Sequence, residues 1–272
     1  MPELPEVETI RRSLDPQLKN RMIAGGEVFF PKLIENMTPE TFLNQVSGQE
    51  VVRLERRGKY LIIHLADQKV IVVHLRMTGQ LIMEDPCAPI GKATHLRLRF
   101  TDGLELRYKD QRKFGRVWLM PVEELTGFFS KMGPEPLGED FTAEILEQRL
   151  CRHRLAIKKA LLNQEILAGM GNIYADEALF LAEIHPARET HTLSETERKK
   201  LYDAIRQVLN EGIRHRGTTK RDYCDGEGKP GSYQEQLRVY GRKGQACPRC
   251  GSMIVKMTLG GRGTHFCPLC QA

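Results

Sequence analysis

The sequence predicts an α+β protein of two domains. Three observations predict it: a run of short β-rich segments in the first half, helical spacing in the second, and two cysteine pairs near the end. A chain of 272 residues is long for one core and comfortable for two. Its hydrophobic fraction, 40%, is enough for packed interiors and speaks against wholesale disorder. No apolar run reaches membrane-spanning length, and MPELPEVETIRRSL has no stretch like that of a signal peptide. The expectation is a soluble, cytoplasmic protein. The formal charge of +6, from 41 basic and 35 acidic residues, suits a polyanionic partner without requiring one.

The first segment is expected to be a helix. Pro5 suits a first helical position, Glu6 and Glu8 fall in the positive first turn, and Val7, Ile10, Leu14 and Leu18 form an apolar stripe. From Val51 to about Leu119 the pattern is strand-like: YLIIHL, KVIVVHL, HLRLRF, LELRY and RVWLM, with the hairpin signal TDG between two of them. This region reads as a β-sandwich or barrel carrying the first helix. A Gly- and Pro-rich break follows at 132–138. Beyond it, Thr142 to Cys151 and Leu155 to Leu162 have helical spacing, and a glycine loop at 167–171 opens into a helix from about Asn172 to Ala182. Ser194 and Glu197 form a capping box for a long helix lined by Leu201, Ile205, Val208 and Leu209. After Gly212 comes a polar stretch to about Ser232 without periodicity, long enough to suspect function. The domains are drawn at 1–132, a linker at 133–141, a helical module at 142–235 with a loop at about 217–232, and a ribbon at 236–272.

Cys247, Cys250, Cys267 and Cys270 form C-P-R-C, sixteen residues, then C-P-L-C. Two thiolate knuckles at this spacing complete a tetrahedral shell around one structural Zn2+, with no position left for water. Two disulfides or redox pairs are the alternative. Between the knuckles, Met253 to Leu259 and Thr264 to Phe266 read as strands around a Gly260–Gly263 turn, placing Arg262 at the tip as a candidate phosphate ligand. Cys87, Cys151 and Cys224 read as plain thiols.

The start of the chain carries the candidate chemistry. Removal of Met1 ahead of the small Pro2 would expose a secondary amine, with a pKa nearer neutrality than that of lysine. Its attack on a sugar aldehyde carbon gives an iminium with no N–H to lose, an electron sink for elimination. Glu3 and Glu6 could move protons beside it, although helix-terminus stabilisation also explains Glu6. Lys59 follows a glycine between a basic cluster and a strand, where a surface lysine is the ordinary reading. Arg152, His153, Arg154, Lys158 and Lys159 crowd one helical hairpin, and Asn172 opens a helix whose N–H groups favour phosphate. Met77, Arg112 and Phe114 lie in turn-like segments, where large side chains suit wedges that fill the gap left by a flipped base.

Together PELPEVE, RRGK, HLRMTG, DQRKFG, GMGNIYADEALF and the terminal C-P-x-C…GRGTHFCPxC resemble the formamidopyrimidine-DNA glycosylases along essentially the whole chain. The resemblance implies a two-layered β-sandwich with a helix, a helix–two-turn–helix module and a zinc ribbon. It implies a monomer, associated with the nucleoid, acting on double-stranded DNA that carries an oxidised purine. The implied activity is base excision followed by β- and δ-elimination. It assigns Pro2 as nucleophile, Glu3 as general acid or proton shuttle, Glu6 as a supporting carboxylate and Lys59 as a phosphate contact near the lesion. Asn172 and Arg262 would grip phosphates, with His74 and Lys158 as lesser candidates, while Met77, Arg112 and Phe114 would fill the void. Thr78 stands at a position that varies in the family and receives no lesion contact. Residues 217–223 resemble the lesion-capping loop, with Arg216 where glycine is common. An endonuclease VIII-like enzyme for oxidised pyrimidines shares Pro2, Glu3 and the ribbon; Leu4 and the Arg112–Phe114 motif favour the purine branch. A non-catalytic zinc-ribbon DNA-binding protein would be expected to lack Pro2, Glu3 or Lys59.

Overall fold

The computed structural model describes residues 1–272, which fold into two compact units. The first comprises Met1–Ser130 and His215–Ser232, the second Lys131–Arg214 and Tyr233–Ala272. The segment around 217–232, grouped by the sequence with the helical module, therefore packs with the first unit. No helix is long and apolar enough to cross a membrane.

The first unit opens with helix α1 (Leu4–Leu18), whose Val7, Ile10, Leu14 and Leu18 are fully buried, as the stripe predicts. Eight strands follow: β1 (Ile23–Val28), β2 (Val51–Arg57), β3 (Tyr60–Leu65), β4 (Lys69–His74), β5 (Gly79–Glu84), β6 (Thr94–Phe100), β7 (Glu105–Asp110) and β8 (Arg116–Pro121). They form two antiparallel four-stranded sheets, ordered β1-β6-β7-β5 and β2-β3-β4-β8, with helix α2 (Pro39–Val46) beside β1. One core takes Leu81, Leu98 and Leu106 from one sheet and Leu61, Ile71 and Val117 from the other, together with the α1 stripe. Of the two shapes open to the strand pattern, the structure is the sandwich. The uninterrupted apolar runs in β3 and β4 have a simple cause. Their second face is also buried: Ile62, Val70, Val72 and Met120 pack with Trp118 and with Leu125 of the short helix α3 (Leu125–Phe128).

In the second unit, Thr142 caps α4 (Ala143–Cys151), and α5 (Ile157–Leu162) is joined by turns to α6 (Asn172–Leu181). Helix α7 (Glu195–Arg214) begins at the Ser194–Glu197 capping box and runs on through Gly212 to Arg214, past the expected end. Leu201, Ile205, Val208 and Leu209 are its buried face. Strands β9 (Val255–Leu259) and β10 (Arg262–Phe266) make the terminal hairpin. Its turn is only Gly260-Gly261, both left-handed, so Arg262 begins the returning strand opposite Leu259 instead of standing at the tip.

Candidate nucleic-acid site in two parts

In the first unit the site is built around the start of α1. Met1 is exposed and Pro2 is buried directly behind it. While Met1 is attached the Pro2 nitrogen is an amide; its removal leaves the secondary amine. Glu3 is the N-cap, and Glu6 Oε2 accepts the Glu3 backbone N–H at 2.8 Å, the Glu6 half of a capping box. Glu6 Oε1 accepts the Thr218 N–H at 2.7 Å. The Glu6 carboxylate thus ties the candidate nucleophile's segment to the 215–232 segment, which fits a supporting role.

Close approach fixes the residue next to Thr218. Gly217 has φ +81°, and a Cβ there would meet Glu6 Cγ at 2.9 Å and the Tyr223 ring at 3.0 Å. Arg216, the residue before it, is itself left-handed at φ 58°. Its guanidinium pairs with the buried carboxylate of Asp225, which also accepts the N–H groups of Glu227 at 2.9 Å and Lys229 at 3.0 Å. The ion pair holds in place a backbone conformation that glycine would adopt freely.

Lys59 is buried, in the two-residue turn between β2 and β3. Arg56 braces that turn, bonding Gly58 O at 3.1 Å and Glu8 Oε2 at 3.3 Å on α1. His74 pairs with Tyr60 across β3 and β4. Burial, with Arg76 and Lys59 nearby, pushes its pKa down to about 3, so the ring is neutral at ordinary pH. His74 Nδ1 accepts the Arg76 N–H at 3.0 Å, so His74 can offer a neutral N–H donor but no charge. Met77, Arg112 and Phe114 are exposed in adjoining turns, with the Arg112 guanidinium 4.6 Å from the Phe114 ring centroid.

In the second unit Asn172 opens α6 after the glycine loop, where first-turn N–H groups have no intrahelical acceptor. Its Nδ2 donates to Gly263 O at 2.9 Å, fixing it beside β10, where Arg262 is exposed. Gln164, which sequence reasoning missed, braces the glycine loop. Its Oε1 accepts the Gly169 N–H and its Nε2 donates to Met170 O, each at 2.9 Å. Lys158, expected among the lesser phosphate contacts, is corrected here: it is fully buried under the hairpin. Its Nζ lies 2.6 Å from Asp176 Oδ1 and donates to Thr264 Oγ1 at 2.8 Å and Gly263 O at 3.2 Å. A cation on a helix is solvated only if its face is exposed, and this face carries β10.

The four terminal cysteines converge, with all sulfurs within 4.8 Å of one another. Cys247 and Cys270 are 3.9 Å apart and Cys250 and Cys267 3.5 Å. Ligands at the usual zinc–sulfur length on a tetrahedron lie about 3.8 Å apart, whereas a disulfide needs about 2.05 Å. The thiols therefore fit one structural Zn2+ and not two disulfides. Ser252 Oγ lies 3.0 Å from Cys250 Sγ and 3.1 Å from Cys267 Sγ, a hydrogen-bond partner beyond the ligand shell. The closed shell gives the ion folding work and no open position for substrate.

Residues 1–117 match the formamidopyrimidine-DNA glycosylase N-terminal domain, 132–223 the H2TH domain of the same family, and 244–272 the zinc finger found in FPG and IleRS. The chain is 46% identical to formamidopyrimidine-DNA glycosylase of Pelotomaculum thermopropionicum, over 100% of this chain and 99% of the relative. It is 42% identical to that of Bacillus cereus, with the same coverage. Among solved structures it is similar to Lactococcus lactis Fpg bound to DNA containing an abasic site, with a TM-score of 0.94, 39% identity and 99% of each chain covered. A Lactococcus lactis Fpg mutant in complex with Fapy-dG DNA gives the same values. With its sandwich, H2TH helices and four-cysteine ribbon in this order, the chain belongs to the formamidopyrimidine-DNA glycosylase family.

Proposed function

We propose that the chain is a bifunctional DNA glycosylase and AP lyase that excises oxidised purines, 8-oxoguanine and formamidopyrimidines, from duplex DNA. The observation that carries this reading is the Pro2-Glu3 segment at the buried start of α1, in a chain that matches the family from end to end. Once Met1 is removed, the Pro2 lone pair bonds sugar C1′ as the C1′–base bond breaks, and the departing base takes a proton from Glu3. The Pro2 N–H proton returns through Glu3 to the ring oxygen as the sugar opens, leaving the iminium. Loss of the C2′ proton expels the 3′ phosphate, and a second elimination expels the 5′ phosphate.

Lys59 offers its charge to phosphate near the lesion. Asn172 and Arg262 grip the backbone, and His74 adds a neutral donor. Met77, Arg112 and Phe114 occupy the space of the flipped nucleotide. The reading includes a monomer at the nucleoid in the cytoplasm. An oxidised-pyrimidine enzyme is the competing reading. Borohydride trapping on duplexes with 8-oxoguanine opposite cytosine, run beside oxidised-thymine duplexes, separates the two. A covalent product favouring 8-oxoguanine is expected. No adduct from the Met-processed protein would overturn the mechanism.

A further inference from the structure

We infer that a Thr78–Asp110 hydrogen bond locks the two wedge-bearing turns together, making both residues positioning residues for Met77, Arg112 and Phe114. The inference rests on the glycosylase reading above.

The two turns run side by side between the same pair of sheets. One links β4 to β5 and carries Met77; the other links β7 to β8 and carries Arg112 and Phe114. At one end His74 pairs with Arg116, and at the other Gly79 pairs with Asp110. The register thus brings Asp110 to the root of both turns.

Asp110 is buried and its carboxylate is filled from both turns. From its own turn Oδ1 accepts the Arg112 N–H at 3.0 Å, and Oδ2 accepts those of Phe114 and Gly115, each at 2.8 Å. From the other turn the Thr78 hydroxyl donates to Oδ1. The same hydroxyl accepts the Arg112 N–H at 3.2 Å. His95 Nε2 bonds Asp110 O at 2.7 Å and Asp110 N–H bonds Ala93 O at 2.8 Å, so the carboxylate sits on an anchored backbone.

A second feature joins the turns. Both end in glycine, and a Cβ at either Gly79 or Gly115 would collide with the buried Tyr108 hydroxyl. The two turns therefore close on one phenol as well as on one carboxylate. Each also holds a non-glycine residue in the left-handed region immediately before a wedge: Arg76 at φ 56° before Met77, and Lys113 at φ 59° before Phe114. Such conformations persist where the surroundings over-determine them. The Asp110 node supplies that constraint to the second turn directly and to the first through Thr78. Thr78 itself turns inward, onto Asp110 and the Arg112 N–H.

Thr78→Val keeps the side-chain shape and removes the hydroxyl, while three backbone donors still hold Asp110. The variant is therefore expected to fold, with an unchanged circular dichroism spectrum, and to lose the hydroxyl's two bonds between the turns while the closure on Tyr108 remains. With wild-type excision and trapping established first, Thr78→Val should lower kcat/KM for 8-oxoguanine opposite cytosine by about tenfold, the scale of one hydrogen bond to a charged acceptor. Cleavage of a preformed abasic site, which has no base to extrude, should be retained to a much larger fraction. Thr78→Ser should restore excision. Wild-type excision by Thr78→Val, equal losses on the two substrates, or failure of Thr78→Ser to rescue would each overturn the coupling. A wild-type protein that neither excises nor traps would instead sink the glycosylase reading.

Discussion

Replacing Lys158 by Met tests how the ribbon is held to its helices. The ammonium and the Asp176 carboxylate are both completely buried and 2.6 Å apart. Lys158 also satisfies Thr264 Oγ1 and Gly263 O on β10. Methionine fills the volume but abandons all three acceptors. Asp176 is then left with the His265 N–H at 2.9 Å and, at 3.3 Å, His265 Nδ1. An uncompensated buried charge costs about 3–5 kcal/mol. Lys158→Met should therefore lower protection of the β10 amides by a comparable amount in native-state hydrogen exchange, and the added Asp176→Asn, which removes the buried charge but keeps an acceptor for the His265 N–H, should recover most of it. A single-variant loss below about 1 kcal/mol, the scale of an exposed pair, would refute the reasoning. So would a double variant as weak as the single one.

Three further outcomes are expected. Glu3→Gln should reduce base excision by about 10²–10⁴-fold, the usual range for a general acid, with DNA binding in gel-shift titrations retained. Arg262→Ala should weaken binding and flatten the plot of log K against log salt by roughly one phosphate contact; an unchanged slope would remove Arg262 from the interface. His74 should make the protein acid-sensitive. Its folded pKa, about 3, lies below its unfolded value, so the unfolded chain binds the extra proton first. Stability is then intact above about pH 6.5 and falls by roughly 1.4 kcal/mol per pH unit as acid is added, down to the folded pKa. Urea midpoints of wild type and His74→Gln should diverge in that window; parallel curves would contradict a buried neutral imidazole.

Features written in adjacent residues were the legible ones. The α1 stripe, the Ser194–Glu197 box, the glycine loop before Asn172 and the paired cysteines each depend on local spacing, and each is found where the sequence puts it. Strand β1 was missed because its residues, IAGGEV, have poor strand propensity; pairing with β6 makes it a strand. Helix α2 was missed too, although Thr38 and Pro39 give it a start signal. Lys158 was misread because a buried lysine and a solvated one look alike inside a basic run. Thr78 and Asp110 acquire meaning only through the Gly79–Asp110 register, which joins segments about thirty residues apart.

The discontinuity of the first unit has a consequence for biosynthesis. The Thr218 N–H that fills Glu6 Oε1 lies 212 residues downstream. A ribosome emits the chain N-terminus first at about 5–20 residues per second, so roughly 5–20 s separate the emergence of Ser130 from that of Ser232. During that interval the sandwich can collapse, but one of its buried carboxylates awaits a partner not yet translated. The helical segment between the two parts must therefore be synthesised before the surroundings of the α1 start are complete. Truncation after Ser130 would leave this first unit unfinished, and a protease cut near Thr218 would injure it while severing the chain far along the sequence from Pro2.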